Sequence, residues 1–161
     1  SIEARCLSLI LRQQPVAGDL RVVSSALKVV TDLERIGDHA SDIAELILRI
    51  RGEHIYHVVR HIPGMAMAAR EMVRSAIDAF ISQDITAAKT IEKQDDIVDE
   101  LFTKVKNDVI DLLKQSAEHA DQCIDLLMIA KYLERIGDHA VNVCEWTEFA
   151  KTGALKNVRI L

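Results

Sequence analysis

The octapeptide Leu-Glu-Arg-Ile-Gly-Asp-His-Ala is written twice in this chain, as Leu33 to Ala40 and as Leu133 to Ala140, one hundred positions apart. An identical copy at that distance marks an internal duplication, so the chain has to fold as two related units. Elsewhere the halves share mainly hydrophobic character. Side-chain chemistry is kept in the octapeptide where packing alone would accept many substitutes, and function is sought there first.

Across 161 residues, 49% hydrophobic content with two prolines and six glycines favours long helices over a turn-rich sheet. The spacing of Ile2, Cys6, Leu7, Ile10 and Leu11 predicts a helix that stops near Gln13-Gln14-Pro15, because proline disfavours helix in the residue before it. Gly18 and Asp19 read as a turn and an N-cap. Leu20 to about Arg51 then reads as one helix, with Leu33, Ile36, Ala40, Ile43, Ile47 and Ile50 in the narrow stripe of a bundle. Gly52 to about His57 reads as a linker. Pro63-Gly64 starts or kinks a helix running to Gln83, with Met65, Ala68, Met72, Ala76 and Phe80 inward. Asp84 caps a helix to about Gln115. Glu118 to Lys151 is the last, striped by Leu126, Ile129, Leu133, Ile136, Ala140 and Val143, and 152–161 reads as a tail.

With the halves superposed at a constant offset, the second has three helices and the first only the end of one and a complete second. On the repeat argument roughly sixty residues are expected ahead of Ser1. The stripe from Leu27 to Ile50 and the face of Leu7 and Ile10 are then expected to be open to water unless chains associate, which favours a homo-oligomer.

Several classes are disfavoured. No apolar run approaches the ~18–20 residues needed to cross a bilayer, and no secretory segment is visible, so the chain reads as soluble and unexported. Cys6, Cys123 and Cys144 are odd in number and occupy no equivalent positions in the repeat, which fits reduced core thiols rather than disulfides or a thiolate metal site. A net charge of −5 without a dense Lys/Arg block argues against nucleic acid as the main partner. Cations and basic protein surfaces remain open.

Glu134 and Asp138 stand i,i+4 on one helix face, and Asn142 and Glu145 continue the column. Asp95 and Asp99 share that spacing on the preceding helix, with Glu92 and Asp96 alongside. Both pairs have their midpoints 19.5 residues from the loop centre at 116.5, about 29 Å along antiparallel helices. Two carboxylate pairs should therefore face each other, raising one another's pKa unless cations neutralise them. Oxygen ligands of this kind suit magnesium, manganese, calcium and iron. The plainer alternative is a solvated face, with the acids paired to Lys131, Arg135 or Lys104.

Gly37 and Gly137 lie beside the apolar stripes, where close approach of a neighbouring helix is the expected reason for a residue that costs ~1 kcal/mol against alanine. His39 and His139 are five residues from the glutamates, so they do not form the Glu-x-x-His pair of ferritin-like di-iron bundles. They read as donors behind the ligands or as surface residues. His54, His57 and His61 read as a surface feature.

Gln14-Pro15-Val16-Ala17-Gly18-Asp19-Leu20-Arg21, then Asp32 to Ala40, then the second Leu-Glu-Arg-Ile-Gly-Asp-His together resemble the PhoU family of phosphate-uptake regulators, also called phosphate transport system accessory proteins. The resemblance covers essentially the whole chain. It implies an all-α fold of two three-helix bundles in tandem: 1–52 the remainder of the first, lacking its N-terminal helix and part of the second, and 53–151 the second. It also implies a non-enzymatic cytoplasmic protein that silences the phosphate-starvation response together with the transporter ATPase and the phosphate sensor histidine kinase, reaching the membrane only through such partners. The family's E/D-x-x-x-D metal motif falls on Asp95, Asp99, Glu134 and Asp138 in the second bundle, and on Glu34 and Asp38 in the first. Iron, manganese, magnesium or zinc are the implied ions. The acids that would partner Glu34 and Asp38 fall five and one positions before Ser1, so the first cluster is incomplete. No nucleophile with a positioned base and no glycine-rich phosphate loop is visible. The alternatives are a carboxylate-bridged metalloenzyme using the same acids and a purely structural helical bundle.

Overall fold

The fold is that of a computed structural model, which describes residues 1–50 and 59–155 and the backbone of 158–159. The linker expected at Gly52 to His57, with His54 and His57, lies outside the described residues. Along the chain come α1 Ile2–Gln13, α2 Ala17–Arg49, α3 Ile62–Ser82, α4 Ile85–Glu92, α5 Asp95–Gln115 and α6 Ala120–Thr152, then β1 Ala154–Leu155 and β2 Val158–Arg159. Among the described residues no helix is long and apolar enough to cross a membrane.

Pro15 ends α1 as expected. It excludes Gln14 from the right-handed helical region, and Gln14 sits at φ 44 with its N–H on the Ile10 carbonyl at 3.2 Å. The start of α2 differs from expectation. The helix begins at Ala17, Val16 occupies the cap with no side-chain bond, and Asp19 falls in the first turn instead of capping it. Ala17, at φ 48, makes the left-handed turn assigned to Gly18, a conformation that costs a non-glycine residue about 1–2 kcal/mol. Asp19 still places a negative charge by the free N–H groups of a long helix.

Asp84 caps α4 as expected, accepting from the Ala87 N–H at 3.0 Å. The single helix expected from there to Gln115 is broken. The Gln94 N–H bonds the Ile91 carbonyl at 2.9 Å and the Ile97 N–H bonds the Gln94 carbonyl at 3.1 Å, the i to i+3 pattern of a tightened 3₁₀ turn. No glycine or proline marks the break. Ile91 before it and Val98 after it are both buried, and α4 and α5 both pack on α6. The break also makes Asp95 and Asp96 the first turn of α5.

Helix α6 is the centre, with α2, α3, α4 and α5 all packed on it. Its predicted stripe is buried throughout, and so are Cys123, Ala130, Gly137, Cys144 and Thr147. From α3, Met65, Met72 and Ala76 fill the core, while Ala68 and Phe80 are half-buried. Helix α2 runs antiparallel to α6, with Asp32 meeting His139 and Arg49 meeting Asp125. The α2 stripe is therefore partly covered, with Ala40 exposed. Val29 and Leu46 are buried, and Leu33, Ile36, Ile43 and Ile50 pack against the same core. Ile47 and Leu48 remain exposed, as do Leu7 and Leu11 on α1, which packs on α2. All three cysteines are buried free thiols. Gly153, at φ 78, closes α6 with its N–H on the Phe149 carbonyl. In the expected tail, Ala154 pairs with Arg159 and Leu155 with Val158 as a short antiparallel ribbon.

Candidate functional site

The antiparallel pairing of α5 with α6 brings Asp95, Asp99, Glu134 and Asp138 together. Burial, then the charges of Asp99, Asp138, Asp96 and Glu134, push the Asp95 carboxyl up to about 6. The Asp99 carboxyl is raised by burial, then by Glu134 and Asp96, with Lys131 pulling the other way. That of Asp138 is raised by burial and Glu134, against Lys131, and further by Asp99. Each carboxylate feels acids from the facing helix, as the level argument requires. Lys131, one turn before Glu134, makes an ion pair with Glu134 Oε2, and its Nζ lies 5.4 Å from the centre of the Phe102 ring.

Among the described residues no group of three or more His, Cys, Asp or Glu side chains is arranged to hold a metal ion. The four acids are neighbours, not a closed ligand cage. Two features mark this seam. Asp95 Oδ1 is buried without a hydrogen-bond partner, and a Cβ on Gly137 would stand 3.0 Å from that atom, 3.7 Å from Val98 Cγ1 and 3.9 Å from Met72 Cε. The glycine thus lets α5 and its carboxylate close on α6.

The first-repeat copy is differently placed. Glu34 is exposed, and Asp38 faces Arg35 at 3.7 Å with both side chains mostly in water. Neither is among the charges acting on Asp95, Asp99 or Asp138. Gly37 has nothing within 4 Å of a Cβ, so the close approach expected for both glycines holds for Gly137 alone. The acidic column also bends. Glu145, with Glu148, raises the Glu92 carboxyl after burial, while Asn142 turns to α2 and donates to Asp32 Oδ1 at 2.9 Å.

The histidines hold the repeats together. His139 Nδ1 is 2.8 Å from Asp32 Oδ1. His39 stacks on Tyr132 at 5.3 Å and lies 5.6 Å from the His139 ring. Since 32 and 132, and 39 and 139, are equivalent positions, the octapeptides meet about a pseudo-twofold axis. His61 faces Asp108 at 3.9 Å, joining the start of α3 to α5.

A family model described as the PhoU domain matches residues 1–47 and 62–147. The chain belongs to the PhoU family. It is 40% identical over 153 residues to the PhoU homolog of Clostridium acetobutylicum, named as a phosphate-specific transport system accessory protein, covering 94% of this chain and 70% of that one. Its fold is similar to the crystal structure of the phosphate transport system regulatory protein PhoU from Streptococcus pneumoniae, with a TM-score of 0.85, 28% identity and coverage of 95% of this chain and 72% of that one. PhoU from Pseudomonas aeruginosa is also similar, with a TM-score of 0.82, 31% identity and coverage of 92% and 72%. The all-α, PhoU-like fold that the resemblance implies is thereby shown.

Proposed function

We propose that this chain is a regulatory adapter of phosphate transport, acting by binding and not by turnover, and that its acidic clusters take up di- or trivalent metal ions. The observation that carries the reading is the PhoU match running through both repeats, among relatives named for the phosphate-specific transport system. The partners on this reading are the transporter ATPase and the phosphate sensor histidine kinase. The outcome is repression of phosphate-starvation genes when phosphate is plentiful. The chain works on the cytoplasmic side, reaches the membrane through those partners and associates with copies of itself. Residues 1–52 belong to the first bundle and 53–151 to the second.

Asp95, Asp99, Glu134 and Asp138 would hold the ion in the second bundle, with Glu34 and Asp38 as the first bundle's share. An ion there supplies positive charge to mutually repelling carboxylates. The chain's own residues do the rest: Gly137 admits α5, and the Asp32–His139 contact ties α6 to the other repeat.

The test is a phosphate-starvation reporter in a strain lacking the gene, complemented with wild type or with Glu34→Gln, Asp38→Asn, Glu134→Gln and Asp138→Asn together at matched protein level. Wild type should restore repression in rich phosphate and the quadruple variant should restore it incompletely. No effect of the deletion would remove the regulatory reading, and full repression by the variant would make the acids structural.

A further inference from the structure

We propose that the apolar groove between α2 and α3 is the docking site for an acidic amphipathic helix of a partner protein, with Arg70 and Arg74 receiving its carboxylates. The inference rests on the reading of the chain as an adapter and gives that reading a surface. Helices α2 and α3 both pack on α6 but hardly on each other. The space left between them is a groove of about 520 Å³, walled by Ile36 and Ile43 of α2 and by Val73 and Ile77 of α3. Its floor is Leu133 and Ile136 of α6 with Ala69 of α3, all buried. Ala40 and Ala66, one on each lip, are exposed.

The shape suits a helix rather than a small molecule. From Ala66 to Ile77 the groove follows α3 for three turns, about 16 Å. A small-molecule site encloses most of its ligand, whereas this is a trench with Ala66, Arg70 and Arg74 exposed at successive turns of its rim. Alanine on both lips lets another helix approach to roughly 8–10 Å between axes. The occupant then lays apolar side chains at i, i+3 or i+4 and i+7 on the floor.

Charge selects among such helices. Arg70 and Arg74 stand i,i+4 on α3 and both line the groove. Among the described residues neither has an ion-pair partner, and no acid lines the groove with them. In a chain of 25 acidic and 20 basic residues, two unpaired arginines on an acid-free rim call for carboxylates from outside, which a guanidinium fork binds bidentately. The complementary helix carries Asp or Glu at i,i+4 along one edge of its apolar stripe.

The experiment measures binding of the whole protein to the cytoplasmic part of the sensor kinase and to the transporter ATPase by biolayer interferometry, at low and high salt. The proteins compared are wild type, Arg70→Glu with Arg74→Glu, Arg70→Ala with Arg74→Ala, Ala66→Trp, and Lys106→Glu with Lys114→Glu. Arg70, Arg74 and Ala66 are exposed, so substitution there spares the core, and the alanine pair serves should charge reversal disturb the fold. Wild type should bind one of the two proteins, more weakly at high salt. The alanine pair should weaken binding about tenfold, the size of two partly exposed ion pairs, and the reversal should weaken it further. Ala66→Trp obstructs the groove and should also lose binding. Lys106→Glu with Lys114→Glu makes the same charge change on α5, which does not line the groove, and should stay near wild type. Wild-type binding that the groove variants leave intact overturns the docking site while the adapter reading stands. Equal loss in the lysine pair reduces the effect to net charge and overturns it as well. A dimer that Ala66→Trp dissociates in sedimentation, with partner binding unchanged, gives the groove to a second copy. Binding to phosphatidylglycerol vesicles through Arg70 and Arg74, with neither protein bound, gives it to a membrane, and either result overturns the proposal. A wild type that binds neither protein removes the adapter reading and this inference with it.

Discussion

Gly137 and Asp95 are in contact across the seam of α5 and α6: a Cβ on Gly137 would stand 3.0 Å from Asp95 Oδ1. The identical octapeptide in α2 carries Gly37 with nothing within 4 Å. One sequence thus stands in two environments, and substitution separates the cost of glycine in a helix from the need for it.

Gly37→Ala should stabilise the protein by about 1 kcal/mol, the helix-propensity gain with no opposing contact. Gly137→Ala should forfeit that gain, because the new methyl group meets Asp95, Val98 and Met72. Denaturant unfolding of the two variants should differ by at least ~1 kcal/mol, with Gly37→Ala the more stable. Equal stabilisation by both would show that Asp95 moves aside freely.

A second expectation concerns pH. The Asp95 carboxyl is raised from 3.8 to about 6, so the folded protein binds more protons than the unfolded chain between those values. Metal-free stability should therefore be greatest on the acid side of that window, fall as pH rises through about 6 and level off above it. Asp95→Asn should flatten this slope and, at pH 8, stabilise the metal-free protein by on the order of 1 kcal/mol after solvent screening. Unfolding midpoints at half-unit pH steps would check both. A slope that survives the substitution would assign the titration to another group.

Much of the fold was legible because the helices are long and periodic. The α6 stripe from Leu126 to Val143 and the cap at Asp84 need only local spacing and a hydrogen bond to a near neighbour. The break at Lys93–Gln94 was not, since neither residue is a breaker and the spacing of Ile91 and Val98 is that of a continuous helix. Ala17 misled because glycine is the natural choice for a left-handed turn, yet the turn falls on Ala17 and not on its neighbour Gly18.

The carboxylate group was legible because a hairpin makes level positions a matter of counting. The junction of the repeats was not. His39 and His139 read as surface residues or ligand-orienting donors from their own helices, whereas their partners Tyr132 and Asp32 come from the other repeat. The signal was present in the constant offset, which makes any antiparallel meeting of α2 and α6 place 32 beside 139 wherever it places 39 beside 132. Reading it required knowing that the two octapeptide helices pack on each other.

That junction gives the last prediction. Asp32 Oδ1 accepts from Asn142 at 2.9 Å and lies 2.8 Å from His139 Nδ1, and the Asp32 side chain is only 13% exposed. Removing the carboxylate leaves two polar groups of α6 without their partner at a packed interface, where an unmade bond costs about 1–3 kcal/mol. Asp32→Ala should lower stability by that order, and His139→Ala by less, because Asn142 keeps its bond to Asp32. If the pair acts across the interface, the double variant should be less destabilised than the sum of the singles by about 1 kcal/mol or more. Chemical denaturation of the four proteins measures the coupling. Strict additivity would mean that Asp32 and His139 stabilise their own helices separately, leaving the junction of the repeats to its other contacts, among them the Arg49–Asp125 ion pair and the packing of Leu33, Ile36 and Ile43.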